Sequence, residues 1–230
     1  MDFLFQGFFQ AFHLLIYGDP ETYSAITTTV FVSSMSICAS LIIGIPLGFF
    51  LGINEFTGKK IIRTLVDTLL SFPTVVIGLL VYAFLSKRGP LGDLGLLFTL
   101  PGMALGQTIL GLPIIVAMTA TAVESLDKRL RPTLVTLGAT PGQMLSATLV
   151  EARYSLMLAA MAAYGRIVSE VGISMMVGGN IKWHTRTITT AIALETGKGE
   201  FAVGIALGIV LMIVALTVNI GVATLKKRAG

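Results

Sequence analysis

Residues 124–153 read ESLDKRLRPTLVTLGATPGQMLSATLVEAR. This is a polar-flanked segment between two stretches apolar enough to cross a bilayer. Within it Leu134, Leu137, Leu145 and Leu149 are spaced for two amphipathic helices, because residues three and four apart share a helix face. The run Gly138-Ala139-Thr140-Pro141-Gly142 breaks the pair, since glycine and proline punctuate helices. A two-sided helical segment at the aqueous face of an oily protein implies a soluble partner that docks there. The reading that follows is a pore moved by a separate motor.

The composition agrees with a membrane chain. Of 230 residues 54% are hydrophobic and 12% charged, and the mean hydropathy is +0.88. Soluble domains carry about 25% charged residues. The single cysteine, Cys38, lies in an apolar run and excludes a disulfide within the chain; it reads as a small buried residue. The net charge of +4 fits basic residues flanking membrane spans, and no basic stripe carries the interleaved aromatics of a nucleic-acid binder. No nucleic-acid partner is expected.

Five stretches have the length and apolarity of spans: about 25–52, 62–86, 97–122, 154–178 and 201–225. A span needs about 20 apolar residues. In lipid each must satisfy its own backbone, so helices are expected. The chain is therefore read as one transmembrane domain over 1–230, with a five-span core at 25–225 and the helix-pair loop at 124–153. The N-terminal run FLFQGFFQAFHLLIY, residues 3–17, is too short for a comfortable span and rich in aromatics. It suits a helix lying in the membrane interface within residues 1–20, rather than a sixth span, with His13 as a polar tip. The first charge is Asp2, so the basic start of a signal peptide is missing.

Lys and Arg give the orientation. If 124–153 is cytoplasmic, the inner face carries Lys59, Lys60, Arg63, Lys128, Arg129, Arg131, Arg153, Lys226, Lys227 and Arg228. The outer face carries Lys87, Arg88, Lys182, Arg186 and Lys198, half as many. This puts the N-terminus outside and the C-terminus in the cytoplasm.

Small residues and prolines mark packing and breaks. Gly44, Gly48 and Gly52 form a stripe at intervals of four in the first span, with Gly102/Gly106 and Gly204/Gly208 repeating the spacing; such stripes let backbones approach closely. Pro73 follows Ser71-Phe72 in the second span, and Pro101 and Pro113 punctuate the third. Proline removes a helix hydrogen bond and disfavours straight helix before it. In membranes that is tolerated where protein or an aqueous cavity re-satisfies the backbone. Gln107, Thr108, Thr119 and Thr121 make the third span polar. Its hydroxyls suit a hydrophilic path, or bond their own preceding turn. The outer loop after the fourth span holds Asn180, Lys182, Trp183, His184 and Arg186, then an apolar run from Ile188 to Leu194 that reads as a short helix. It is long enough to re-enter toward the pore mouth or to present a docking surface.

Arg166 and Glu170 stand one turn apart near the middle of the fourth span, with Ser169 adjoining. The spacing puts both charges on one helix face. An unpaired charge at the bilayer centre costs about 2.5–3.5 kcal/mol on insertion scales, so the pair faces a bundle interior or an aqueous cavity. It is either a self-neutralising structural pair or an arginine that attracts an anion and is held by its carboxylate. Arginine has donors to spare for both.

No enzyme chemistry is legible. The nearest approach to a phosphate-binding loop, Gly52 to Gly58 followed by Lys59-Lys60, has the wrong spacing, and GxSxG is missing. His13 and His184 lack neighbours at metal-ligand spacing. Neither a metal nor a cofactor is expected, and energy must come from another subunit. A gradient-driven secondary transporter using Glu170 as a proton relay would be the alternative, but its inverted repeats have no counterpart in the two halves.

On these residues a resemblance can be named. Segment 124–153 resembles the cytoplasmic coupling loop of ABC-importer permeases, EAA-xxx-G-x9-I-x-L-P. Gly138 takes the glycine position. Pro132, Thr133 and Leu134 stand in place of EAA, and Thr148, Val150 and Glu151 in place of the closing I, L and P. Residues 169–201, SEVGISMMVGGNIKWHTRTITTAIALETGKGEF, are similar to the same region of oxyanion permeases, in wording nearest the tungstate type, with molybdate and sulfate permeases as the alternatives. The resemblance covers about 25–230 and includes SFPTVVIGLLVY and GPLGDLGLLFT.

It implies an all-α polytopic protein with the type I ABC importer permease fold in the inner, cytoplasmic membrane. It implies three partners: an ATP-binding subunit, an extracytoplasmic oxyanion-binding protein, and a second copy of the chain. The ATPase would grip Leu137, Gly138, Ala139, Thr140, Gly142, Gln143, Met144 and Ser146. The binding protein would meet Asn180, Lys182 and Arg186. The pathway candidates are Ser71, Pro73, Thr74, Thr119, Arg166, Ser169 and Glu170. Choice among tetrahedral oxyanions would rest mostly with the binding protein.

Overall fold

The computed structural model describes residues 2–127 and 129–228. Lys128, counted above among the inner basic residues, lies outside them. All regular structure among the described residues is helical. The order is α1 (Asp2–Ile16), α2 (Pro20–Ile53), α3 (Lys59–Leu70), α4 (Thr74–Leu85), α5 (Leu100–Glu124), α6 (Leu130–Thr136), α7 (Pro141–Glu151), α8 (Arg153–Val168), α9 (Gly172–Gly178), α10 (Ile188–Gly197) and α11 (Phe201–Arg228). Three helices, α2, α5 and α11, are long and apolar enough to cross a membrane singly. Two further spans are broken: α3 and α4 meet at 99°, and α8 and α9 at 58°. With each bent pair counted as one span the total is five, over the same five apolar stretches, and α1 is shorter than a span.

Local chemistry explains most boundaries. Asp19 caps α2, its carboxylate accepting from Thr22 N at 2.8 Å, with Pro20 in the first turn where no N–H is missed. Thr99 caps α5 through Gly102 N, and Pro101 likewise opens that helix instead of kinking it. Pro46 and Pro113 are carried inside continuous helices. Pro73 is the one that breaks a span: it sits as the N-cap of α4 in extended backbone.

The central helix is α5, whose Met103, Leu110, Ile115 and Ala120 are buried in separate apolar clusters. Its closest partner is α2, and the glycine stripe is the reason. A Cβ at Gly44 would stand 2.8 Å from Ile115 Cγ2, at Gly48 2.6 Å from the Val116 carbonyl oxygen, and at Gly52 2.8 Å from Val123 Cβ. Gly106 is equally tight against Ile173 of α9, and Gly204 against Thr196, whereas Gly208 has open space. Alanine ordinarily stabilises a helix over glycine by about 1 kcal/mol. Gly48→Ala is therefore expected to lower the Tm of the purified permease, overpacking costing about 1–3 kcal/mol, and Gly208→Ala to leave it equal or higher. Equal shifts of one sign in thermal unfolding would contradict the stripe's role.

Elsewhere α1 crosses α11, with Gly7 pressed on Ile205, and His13 stacks on Tyr17 at 4.4 Å. Cys38 is exposed, not buried as its apolar neighbours suggested. It sits on a face of α2 turned away from the bundle, so apolar neighbours in sequence do not mean burial here.

Candidate functional site

The helix pair at 124–153 forms as its pattern predicts. Helix α6 ends in a Schellman turn: Ala139 N donates to Leu134 O and Gly138 N to Val135 O, both at 3.0 Å, with Gly138 at φ +74°. Only glycine adopts that backbone without penalty. Helix α7 then starts with a reciprocal capping box, Thr140 with Gln143, and Pro141 in its first turn. The pair therefore has a fixed shape, yet it leaves Val135, Leu137, Leu145 and Val150 exposed, Leu137 at 77%. Gly138, Thr140, Gly142, Gln143 and Ser146 are exposed with them, and Ala139 and Met144 half-buried.

The two broken spans lie side by side with their breaks level. Gly172, just past the second break, lies against Val75, just past the first. Beyond the breaks, α4 and α9 pack tightly: a Cβ at Gly78 would come within 3.2 Å of Ile173 Cα. Before the breaks, α3 and α8 part. A cavity of about 410 Å³ opens between them with α5 as its back wall. Ser71, Pro73 and Thr74 lie at one break and Arg166, Ser169 and Glu170 at the other, the two breaks meeting through Val75 and Gly172. Ser71, Pro73, Ser169 and Arg166 are exposed, and Thr74 half-buried.

Arg166 and Glu170 pair at 3.3 Å between Nη1 and Oε2, with side chains 44% and 2% exposed. Glu170 does more than neutralise. Its Oε1 accepts from Ile173 N at 3.1 Å, capping α9, and its main-chain oxygen accepts from Thr189 Oγ1 of α10 at 3.0 Å. One buried carboxylate thus ties the break in α8–α9 to a charge, and the adjoining carbonyl ties it to a third helix. The guanidinium keeps free donors toward the open side. Ser169 donates its hydroxyl to Arg166 O at 3.2 Å, so it presents acceptor lone pairs outward.

Thr119 departs from expectation. It is fully buried on the α2 side of α5, against Gly48, and its hydroxyl has no hydrogen-bond partner. It does not share the surface that Arg166 and Ser71 share, because a one-dimensional sequence gives polarity but not the side of the helix. An unsatisfied buried hydroxyl costs about 1–3 kcal/mol. Thr119→Val is expected to hold or raise the Tm and to leave transport unchanged; a fall in transport with the Tm intact would return Thr119 to the path. Its neighbours Thr108 and Thr121 bond their own i−4 carbonyls, at 2.7 and 2.9 Å. Gln107 joins a buried network instead, donating to Ser174 Oγ at 3.1 Å and accepting from Ser36 Oγ at 3.2 Å, which fastens α9 and α2 to α5.

A larger cavity, about 730 Å³, is elsewhere. It lies in the angle between α3 and α4 and is lined wholly by apolar side chains, among them Phe50, Phe56, Val66, Leu80 and Leu112. An anion entering it would lose its hydration for nothing. Arg63 and Asp67 lie on the other side of α3.

At the opposite end from the helix pair, the 179–187 loop folds back. Thr185 Oγ1 donates to Gly178 O and accepts from Ile181 N. Helix α10 starts with a Thr187–Thr190 capping box and is pinned to α2 by Ile188 N donating to Thr29 Oγ1 at 2.9 Å. The run Ile188–Leu194 is thus a helix as its periodicity indicated. Asn180, Lys182 and Arg186 come together, and the two cations among them are not free. Glu21 of α2 takes Lys182 Nζ at 2.6 Å and Arg186 Nη1, whose Nε donates to Asn180 Oδ1 at 3.2 Å. Glu21 is 161 residues from Lys182 in number, and sequence reasoning missed it. Trp183, named above as part of this loop, is exposed at 56% and at φ +66°.

Known proteins resemble this chain over its whole length. The family model described as binding-protein-dependent transport system inner membrane component matches residues 44–230. The Tungstate uptake system permease protein TupB of Campylobacter jejuni is 49% identical over 227 residues, covering 99% of this chain and 95% of that protein. Its namesake from Peptoclostridium acidaminophilum is 36% identical over 228 residues, 99% and 100% of the two chains. Among solved structures, the inward-facing MetNI methionine ABC transporter superposes with a TM-score of 0.75 at 20% identity, over 91% of this chain and 96% of that one; the fold is that of a type I ABC importer permease. With its broken spans and protruding helix pair, the chain belongs to the inner-membrane-component family of binding-protein-dependent transport systems.

Proposed function

We propose that this chain is the membrane-spanning subunit of an ATP-driven importer for a tetrahedral oxyanion, tungstate before molybdate or sulfate. The observation that carries the reading is the full-length likeness to two tungstate uptake permeases, at 49% and 36% identity. Two copies would enclose the path. Each would present α6–α7 to a separate ATP-binding subunit, through Leu137 to Ser146, on the cytoplasmic side. The exposed apolar residues of that pair support a docked partner, since water gains nothing from them. An oxyanion-binding protein would dock outside, on the face of Asn180, Lys182 and Arg186. The N-terminus is then extracytoplasmic, the C-terminus cytoplasmic, and α1 interfacial.

In this reading the anion passes Ser71, Pro73, Thr74, Ser169 and Arg166, with Glu170 holding the arginine. A pre-paired arginine attracts a dianion without trapping it. ATP-driven approach of the two motor subunits would push the helix pairs together, close the gap between α3 and α8, and rock the breaks. The chain carries no nucleotide site of its own in this scheme; hydrolysis belongs to the partner. The test is reconstitution of the chain with its ATPase and binding protein in vesicles. Uptake of tungstate should require all three and ATP. Uptake driven by an ion gradient, with no ATPase present, would sink the proposal.

A further inference from the structure

We infer that Arg63 is a second anion station, at the helix-pair end of the gap between α3 and α8, and this rests on the oxyanion-importer reading above. The gap is lined by Arg63 and Asp67 of α3, Thr121 of α5, Ser125 just beyond it, and Ser155 and Leu158 of α8. Leu70, Ala117, Met118 and Ala122 complete its lining, so its polar groups are few and set among apolar ones, whereas Ile62, Val66 and Leu69 turn to the wholly apolar cleft on the other face of α3.

Arg63 is under-partnered. Nη2 donates to Thr121 Oγ1. Nη1 is buried with no hydrogen-bond partner. Two carboxylates stand at ion-pair range without a hydrogen bond: Asp67 Oδ2 is 3.8 Å from Nε and Glu124 Oε2 3.8 Å from Nη1. Those lengths exceed a hydrogen bond. Glu124 is engaged more closely by Lys59, at 3.3 Å, and Lys59 also holds Glu55 at 2.8 Å. A guanidinium has five donors; Arg63 spends one of them in the bond to Thr121 and lines the cavity.

The arrangement repeats that of Arg166. Each arginine lies on the half of a broken span before its break, and each has a carboxylate four residues on: Arg63 with Asp67, Arg166 with Glu170. In both, the acid lowers the net field, so an oxyanion is drawn but released. The two stations are joined by one exposed face of α8, where Ser155, Leu158, Ala162, Gly165 and Ser169 recur at intervals of three and four. Mostly small side chains leave room along it. From Ser155 to Arg166 the face runs about 17 Å at 1.5 Å per residue. Release toward the helix-pair side would follow this face from Arg166 to Arg63.

The test reads charge selection in the gap without using the substrate. In the full complex carrying Cys38→Ser, Ser155→Cys is treated with a negatively charged and a positively charged methanethiosulfonate. The ratio of rates is compared after Arg63→Gln and Arg63→Lys. The station predicts that Arg63→Gln lowers the negative-to-positive ratio about fivefold, equivalent to roughly 1 kcal/mol, and that Arg63→Lys keeps it. A ratio unmoved by Arg63→Gln overturns the station, even if uptake falls, since the residue would then only fasten α3 to α5. A cysteine at 155 inert to both reagents overturns it too. Tungstate uptake by the Cys38→Ser complex tests the importer reading separately: a ratio that shifts in a complex moving no oxyanion leaves the station and removes the substrate.

Discussion

Replacing Arg166 by alanine is expected to lower ATP-dependent oxyanion uptake about 10- to 100-fold, the worth of one charge-assisted hydrogen bond of about 1.5–3 kcal/mol. The substitution has a second consequence. It leaves Glu170, 2% exposed, without its countercharge inside the bundle. A lone charge at membrane depth costs about 2.5–3.5 kcal/mol, so part of any loss could be structural. The double variant Arg166→Ala/Glu170→Gln separates the two. The amide oxygen can still accept from Ile173 N, whose present bond to the carboxylate is 3.1 Å, and the break in α8–α9 keeps its cap. The double variant should recover the Tm and membrane yield of the parent and remain poor in uptake. Recovery of uptake together with stability would show that the arginine merely balanced a buried acid, and the pathway assignment would fall.

Gly138→Trp is expected to abolish co-purification of the ATP-binding subunit while the permease inserts at normal yield. Nothing lies within 4 Å of a Cβ at this position, so the indole meets no part of its own chain. It projects into the surface the motor would occupy. The backbone adds a smaller penalty: at φ +74° an L side chain costs roughly 1–2 kcal/mol. Gly138→Asn carries the same turn with a small side chain that tolerates the left-handed region, and it should keep the ATPase. If Gly138→Trp retains the ATPase at normal yield, the turn is not where force enters. If both variants lose it, the shape of the Schellman turn matters more than the room beside it.

The sequence alone settled the class and most of the elements, because a bilayer makes few demands and makes them locally. Apolar length marks a span, and five stretches became three single helices and two broken ones. Gly138, Thr140 and Gln143 specify their turn and cap through contacts within a few residues, so the helix pair was readable without a neighbour. The glycine stripe in α2 was readable for the same reason, as a periodicity on one helix. Arg166 and Glu170, one turn apart, announced their own pairing.

What the sequence left open depends on rotation about a helix axis and on partners far along the chain. Thr119 and Arg63 are the plain cases. Polarity nominated Thr119 for the path, and packing against Gly48 buried it. Arg63 counted only as a flanking cation, until α3 turned it into the gap between the broken spans. Glu21 reaches Lys182 and Arg186 only once α2 stands beside the 179–187 loop. The degree of each break, 99° against 58°, was likewise decided in three dimensions. Proline or a buried carboxylate can free a backbone, but the direction it then takes is set by the helices that pack on either side.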